Sequence, residues 1–319
     1  MSTSRFSRFS LAVIGATLAV IVWGAFVRAS GSGAGCGNHW PLCNGEVLPR
    51  ERSVETLIEL THRVTSGLAF VFVVIQYLWA RRVFARGQGA RRAAGASLVF
   101  MITEALVGGG LVLFEMVAGN KSVARAWWMT GHLLNTFALV ASLTVTWWLS
   151  RERPALALPR NRYRLALDLG LGGVALVAVS GAIAALGDTL FPSSSLSAGL
   201  QDDFTATAHA FVRLRLWHPF LAVGFGAYLL ALAARLAMRE GFEALRGTAT
   251  ALAALVLVQL SLGLVNLLLL APIALQLVHL LVADLLWMTL VVLRTRLAQA
   301  AEAPAHRATL ADRAAPAVG

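Results

Sequence analysis

Four of the seven histidines lie inside long apolar segments, where a polar ring is costly and usually has a function. They are His62, His132, His218 and His279. Each follows the start of its segment by about five to eight residues, which is a depth of about 10 Å along a helix. Two imidazoles at one depth that face each other across a helical bundle can bind a haem iron from both sides. The pattern therefore predicts haem ligation by histidine pairs.

Roles other than haem ligation fit these histidines less well. A single histidine in a membrane segment is often a hydrogen-bonding residue or part of a proton path. Zinc is disfavoured because each pair supplies two nitrogens and no thiolate at that depth. His209 lies nine residues before His218 and hence on the opposite face of a helix, and the deeper His218 is the better ligand candidate. His39 and His306 lie outside the apolar segments and are expected to be solvated.

A glutamate three residues before the first of these histidines is a candidate catalytic group. Glu59 shares a helix face with His62, whereas the matching position before His218 is Arg215. A carboxylate there could stabilise positive charge on a substrate or accept a proton from water. The structural alternative is a carboxylate stabilised by the helix N-terminus, and spacing alone does not decide between the two. Arg63 and Arg215 could pair with haem propionates or extend to the membrane interface.

The two cysteines lie close together in the first loop between apolar segments. A disulfide between Cys36 and Cys43 is expected there, provided that this loop faces an oxidising compartment. The pair could be a structural cross-link or a redox pair that relays electrons from the site. A zinc site with His39 is a weaker third alternative.

The composition indicates that a membrane surrounds these residues. Of the 319 residues, 58% are hydrophobic and 13% are charged, against roughly 25% charged in soluble domains. Eight apolar segments approach the roughly 20 residues that cross a bilayer, and spans must be helical to pair their backbone groups. The predicted spans are Leu11–Val27, Leu57–Ala80, Ala93–Ala118, Ala126–Leu149, Leu165–Leu186, Phe211–Ala234, Thr248–Leu270 and Ala271–Leu293.

The basic residues predict how these spans are oriented. Of the 27 basic residues, 19 fall on one side of the eight-span arrangement, in short loops and at the ends. That side is expected to be cytoplasmic, with both termini inside, the cysteine loop outside, and the chain in the inner (plasma) membrane. The same placement explains the net charge of +11 by membrane orientation and lipid contact rather than by nucleic acid.

An internal repeat relates the two halves of the chain. Gly24 matches Gly181 at an offset of 157 residues, and His62 matches His218 at an offset of 156. The repeat predicts an all-α integral membrane protein made of two pseudo-symmetric four-helix bundles. The expected divisions are an N-terminal bundle over 1–149, a cytoplasmic linker over 150–164, a C-terminal bundle over 165–296 and a disordered tail over 297–319.

Five motifs together carry a resemblance to a known family. They are GSGAGCGNHWPLCNG over 31–45, ELTHRVTSG from Glu59, GHLLN at His132, RLWHP at His218 and QLVHLLVADLLW ending at Trp287. In combination they resemble the haem A synthase family. The resemblance implies oxidation of the C8 methyl of haem O to a formyl group, which gives haem A for terminal oxidases. It implies that His62 and His132 ligate the substrate haem, that His218 and His279 ligate a resident haem b, and that Glu59 is catalytic. Haem O synthase (protohaem farnesyltransferase) is then an expected partner, and homo-oligomerisation is left open.

Two departures and two competing functions accompany this resemblance. The fifth loop lacks the second cysteine pair that some relatives carry, which excludes a redox role shared between two pairs. Glu104 stands where the resemblance leads one to expect glutamine, as at Gln259 in the second half, and its role is open. A dihaem cytochrome that only transfers electrons would leave Glu59 without a function. A transporter built from repeats would need paired helix breaks near the midplane, and the sequence shows none.

Overall fold

The fold is helical throughout the part of the chain that the structure describes. The computed structural model describes residues 3–50, 53–151 and 163–314, with side chains as far as 299. The described helices, in chain order, are α1 (Thr3–Ala29), α2 (Val54–Val83), α3 (Gly89–Leu113), α4 (Val123–Leu149), α5 (Tyr163–Leu190), α6 (Leu196–Phe204), α7 (Ala210–Arg215), α8 (Trp217–Met238), α9 (Glu243–Leu268) and α10 (Ile273–Ala314).

Among the described residues, eight helical stretches are long and apolar enough to cross a membrane, which confirms the predicted number of spans. Most of their ends fall within a few residues of the predicted ones. The third span is shorter than predicted: α3 ends at Leu113 rather than at Ala118. The chain turns there, because Glu115 adopts the left-handed conformation with φ 55°. The short helix α6 was not predicted, and the Ser195 side chain caps it by accepting a hydrogen bond from the Ala198 N–H.

The sixth predicted span, Phe211–Ala234, consists of two helices rather than one. The helix α7 ends at Arg215 and α8 begins at Trp217, directly before His218. Pro219 accounts for the break, because proline has no N–H to donate to the carbonyl four residues earlier and its ring clashes with that carbonyl. His218 therefore lies in the first turn of α8.

The long helices pack as two sets of four. The helices α1 to α4 contact one another in sequence, and α4 also contacts α1; α5, α8, α9 and α10 form a similar closed set. The sets meet where α4 contacts α5 and α10, and where α1 contacts α10. At this junction the rings of Phe137 and Trp287 stack with centroids 4.6 Å apart, and the Trp287 indole N–H donates to the Phe137 carbonyl over 2.9 Å. The pseudo-symmetry of the two sets and the proposed domain boundaries stay predictions.

Two predicted segments differ from expectation or lie outside the described residues. The segment 297–319 is predicted to be disordered, yet α10 continues through Ala314. Its many alanines favour this outcome, because alanine has the highest helix propensity. Most of the predicted linker, residues 152–162, lies outside the described residues, and so does the side chain of His306.

Candidate functional site

A large cavity lies between the two sets of helices. Its volume is about 1220 Å³, larger than the roughly 300–1,000 Å³ of most small-molecule sites. The cavity is lined by the four predicted histidines, His62, His132, His218 and His279, and by Glu59. The fold thus brings the predicted site residues of both halves to one space.

Each of these histidines packs against a glycine of the long helix that precedes its own. A Cβ atom on Gly24 of α1 would lie 2.8 Å from Cε1 of His62 on α2. A Cβ atom on Gly181 of α5 would lie at the same distance from Cε1 of His218 on α8. These distances are too short for any other residue without a shift of the ring. The remaining two histidines contact glycines in the same way, at 3.6 Å and 3.3 Å: Gly108 with His132 and Gly263 with His279.

The ring nitrogens of the histidines have few partners in the protein. Nδ1 of His218 hydrogen-bonds the Ser180 hydroxyl over 3.0 Å. Nδ1 of the other three is buried without a hydrogen-bond partner among the described residues: His62, His132 and His279. Within each half, the two rings are close enough to interact electrostatically. Paired, half-buried imidazoles in glycine-lined cradles on a large cavity fit two haem groups, each held by one pair.

An acid and an amide occupy matching places beside one histidine of each half. Oε1 of Glu104 lies 3.4 Å from Nδ1 of His132, although not in hydrogen-bonding geometry. In the second half, Nε2 of Gln259 lies 3.2 Å from Nε2 of His279. The Glu104 carboxylate also accepts hydrogen bonds from two side chains of α4, Asn135 and Thr136. Glu104 thus supplies negative charge beside a candidate ligand in the first half, where the second half has a neutral amide.

The Glu59 carboxylate is buried and ties α2 to the cysteine loop. The residue Glu59 is 3% exposed. Oε2 accepts a hydrogen bond from the Cys36 backbone N–H over 2.8 Å, and Oε1 accepts from Nε and Nη2 of Arg63 over 3.1 and 2.5 Å. Nη1 of Arg63 donates to the carbonyls of His39 and Leu42 in the same loop. Arg63 lines the cavity, but its charge is matched by Glu59.

The cysteine loop is cross-linked and packs over the first half of the cavity. The disulfide between Cys36 and Cys43 is formed, which confirms the predicted pairing, and both residues are buried. Trp40 lies against α3, where a Cβ on Gly109 would come within 2.9 Å of its ring. Trp40 and Pro41 both line the cavity. The loop therefore forms part of the site wall.

Arg215, a predicted candidate partner for haem propionates, already pairs with acids of its own chain. Its Nε lies 2.5 Å from Oδ1 of Asp203, and its Nη1 lies 3.1 Å from Oδ1 of Asp188. Nη2 donates to the Ser193 hydroxyl and to the Gly199 carbonyl, each over 3.1 Å. Two carboxylates thus offset its charge, and Arg215 anchors the segment around α6. Sequence reasoning missed both aspartates because they lie 12 and 27 residues from Arg215.

Two more arginines on the cavity wall were not recognised from the sequence. Arg28 lies in the last turn of α1, and Arg125 lies in the first turn of α4. Arginines at such places usually extend to the membrane interface. Arg125 is instead only 2% exposed, and both residues line the cavity.

Two of the remaining histidines, His209 and His39, do not line the cavity. His209 caps α7, where its Nδ1 accepts a hydrogen bond from the Phe211 N–H over 3.3 Å, and its ring stacks on Phe191. His39 is exposed. Both positions agree with the choice of His218 as the candidate ligand on the sixth span.

Fold and site define a class: a helical protein with eight apolar spans and two histidine pairs on one internal cavity. The chain belongs to the COX15-CtaA family, described as cytochrome oxidase assembly protein, whose model matches residues 7–291.

Individual relatives carry two different names. A protohaem IX farnesyltransferase of Thermus thermophilus is 46% identical over 293 residues, which cover 92% of this chain and 48% of that protein. The chain thus spans about half the length of this relative. A haem A synthase of Geobacillus kaustophilus is 42% identical over 137 residues, 43% of this chain and 42% of that protein. A haem A synthase of Bacillus mycoides is 42% identical over 127 residues, 40% of this chain and 39% of that protein.

Proposed function

We propose that this protein is a haem A synthase, an oxidoreductase that converts the C8 methyl of haem O to a formyl group with oxygen from water. The observation that carries the proposal is the asymmetry of the shared cavity. Both halves present a histidine pair, but Glu59 and Glu104 of the first half are matched in the second half by Arg215 and Gln259. The acids that line the second half, Asp188 and Asp203, pair with Arg215. From this difference we infer that the first histidine pair lies at the reactive site and that the second pair binds a haem that is not the substrate. The family and the relatives named haem A synthase support the same conclusion.

The two histidine pairs receive different roles in this proposal. His62 and His132 hold the substrate haem O, and His218 and His279 hold a resident haem b. When bound, haem b would supply one-electron redox chemistry to the site. Ser180 fixes the ring of His218 through Nδ1, which leaves Nε2 for iron. Gln259 would have to give up its contact with Nε2 of His279 if that nitrogen binds iron.

Glu59 provides the electrostatic part of the reaction. One methyl and one water give one formyl, four protons and four electrons, in two oxidations with a hydroxymethyl stage between them. The electrons would leave one at a time by way of haem b to a one-electron acceptor outside the chain. Each oxidation builds positive charge on the carbon, and a fixed carboxylate stabilises that charge. The Cys36 N–H and Arg63 stabilise Glu59 in its charged form. Oε2 accepts one hydrogen bond, from the Cys36 N–H, so its second lone pair can accept a proton from the attacking water.

Glu104 acts on the ligand rather than on the reacting carbon. Its Oε1 lies 3.4 Å from Nδ1 of His132, so a small rotation gives a hydrogen bond from Nδ1–H. Such a bond fixes the tautomer, leaves Nε2 for iron and raises the basicity of the ring. Asn135 and Thr136 hold the carboxylate in place. This is the role that we assign to the acid found where the second half has Gln259.

The partner and the location follow from the same proposal. The Thermus relative carries a farnesyltransferase name, and slightly more than half of its length lies outside the region that matches this chain. This supports haem O synthase as the protein that supplies haem O to the cavity. The arginine distribution supports the plasma membrane, lipid around the spans, and cytoplasmic termini.

The decisive experiment measures haems in cells that make this protein together with a haem O synthase and no other haem A synthase. Extracted haems are separated by reversed-phase chromatography with mass detection. The wild type should give haem A, whereas Glu59→Gln should fold, keep haem b and accumulate haem O or its hydroxymethyl form. The control Glu46→Gln changes an exposed carboxylate of the cysteine loop, which lies 3.9 Å from the exposed Arg50, and it should behave as wild type.

Different results would identify different functions. Haem b without haem A in the wild type would favour an electron-transferring cytochrome. Formation of haem O without the added synthase would favour prenyl transfer, the activity in the name of the Thermus relative. Near wild-type haem A from Glu59→Gln would exclude an essential charge at Glu59, and Glu104 would be the next acid to test.

A further inference from the structure

Two arginines on the cavity wall have no acidic partner among the described ion pairs. Arg28 donates from Nη1 to the Ala185 carbonyl and the Thr189 hydroxyl, over 3.0 and 2.9 Å, and from Nη2 to Oε1 of Gln276 over 2.9 Å. Arg125 donates from Nη1 to two carbonyls, those of Ala118 and Asn120. All of these acceptors are neutral.

The environment of Arg125 is especially unfavourable for a charged group. Its residue is 2% exposed, and its Nε is buried without a hydrogen-bond partner in the described chain. A guanidinium group does not avoid the cost of a buried charge by losing its proton, because arginine stays protonated in proteins. A buried cation without an anion is strongly destabilising. The arrangement therefore calls for an anion from outside the chain.

The other two arginines of the wall are already matched by acids. Arg63 pairs with Glu59, and Arg215 pairs with Asp203 and Asp188. Asp188 is also the acid that attracts Arg28, but its Oδ1 lies 3.1 Å from Nη1 of Arg215. Arg28 and Arg125 are close enough to repel each other. Positive charge thus accumulates at this part of the wall.

The position of the two arginines relates them to both histidine pairs. Arg28 is one helical turn beyond Gly24, the glycine that contacts His62. Its acceptors belong to the other half: Ala185 is one turn beyond Gly181, and Gln276 is three residues before His279. Arg125 lies two turns before His132 on α4 and on the same face. The pair therefore sits at the junction of the halves, one to two turns from the candidate iron ligands.

We propose that Arg28 and Arg125 form a carboxylate-binding subsite for the propionate groups of haem in this cavity. The inference rests on the proposed function only in that the cavity holds haem. Propionates are carboxylates on the edge of an otherwise apolar ring. A guanidinium group binds a carboxylate through two parallel charge-assisted hydrogen bonds. Arg63 and Arg215, which the sequence suggested for this role, are replaced by the two arginines without acidic partners.

The test compares two probes that differ only in charge. Purified full-length protein, produced under haem limitation, is titrated with haemin and with haemin dimethyl ester, and binding is followed by the Soret band. Titration of protein-free micelles corrects for partition into detergent. The wild type should bind haemin about tenfold to hundredfold more tightly than the ester, the range expected for charge-assisted hydrogen bonds.

Variants then test whether Arg28 and Arg125 cause the preference for haemin over the ester. Arg28→Gln and Arg125→Gln should each reduce the preference for haemin by about tenfold while ester binding changes little. Arg28→Lys keeps the charge but not the two-pronged donor, and should retain part of the preference. Arg50→Gln, at an exposed arginine of the cysteine loop, is the matched control and should keep all of it.

Each outcome decides between the two proposals. Wild-type protein that binds haemin and the ester equally would overturn the subsite, whether or not any variant folds, and would leave the haem site intact. Variants that keep the full preference would also overturn it, and would make both arginines structural. Wild-type protein that binds neither probe would instead refute the haem-binding cavity itself.

Discussion

The contact between Gly181 and His218 makes a quantitative prediction about haem retention. Gly181→Ala would place a methyl group 2.8 Å from Cε1 of His218, whereas ordinary contacts lie between 3.4 and 4 Å. The ring or the helix must therefore shift by at least about 0.6 Å. Ser180 holds the ring through Nδ1, so such a shift also strains that hydrogen bond. Ligand groups must be held within about 0.5 Å of their working position, so haem b should be retained about tenfold less tightly.

The same substitution nearby should have the opposite effect on stability. Gly172 lies on the same helix, and a Cβ there would meet nothing within 4 Å. Gly172→Ala should thus gain helix stability of up to about 1 kcal/mol without loss of haem. An effect seen in Gly181→Ala but not in Gly172→Ala is therefore caused by the contact with His218, and not by replacing a helical glycine with alanine in general.

The measurement is the haem b content per protein by pyridine haemochrome, with thermal unfolding of the same samples. Gly181→Ala should lose haem b during purification and unfold at a lower temperature, because a bound cofactor stabilises the folded state. Equal haem content and equal unfolding temperature in the two variants would refute the glycine cradle as a requirement of the site.

Two further predictions concern the halves and the topology. Replacement of His218 by alanine should remove haem b and lower thermal stability, whereas replacement of His62 should leave haem b in place and abolish haem A; loss of the same haem from both variants, measured by haem extraction, would contradict separate sites. After reduction, Cys36 and Cys43 should react with an impermeant thiol reagent in cells with a permeable outer envelope but an intact plasma membrane; protection of both until lysis would show that the loop faces the cytoplasm.

The membrane environment explains why the histidines could be found from the sequence. In an apolar segment of about 20 residues a histidine is conspicuous, because few other side chains there can bind metal or carry charge. A helix also fixes which residues share a face, so Glu59 and His62 could be placed together before the fold was known. The eight spans and the choice of His218 over His209 were predictable for the same reasons.

What escaped prediction depends on contacts between distant parts of the chain. Asp188 and Asp203 contact Arg215 because α5 and α6 both pack against α7, and no local sequence pattern predicts this packing. The helix break before His218 could have been predicted, because proline at position 219 interrupts the hydrogen bonding of a helix. The contact of Glu59 with the Cys36 N–H required the path of the loop, which the spacing of the two cysteines does not determine.

The four arginines of the cavity wall divide into two groups, those with acidic partners and those with neutral ones. Arg63 and Arg215 each have acidic partners and each hold a loop segment, so their removal would free buried carboxylates and loosen the cavity wall. Arg28 and Arg125 hold neutral groups and retain their full charge toward the cavity. Their helices, α1 and α4, both contact α10 of the second set. An anion bound by both arginines would therefore contact the junction itself, which gives the bound ligand an energetic link to the packing of the two halves.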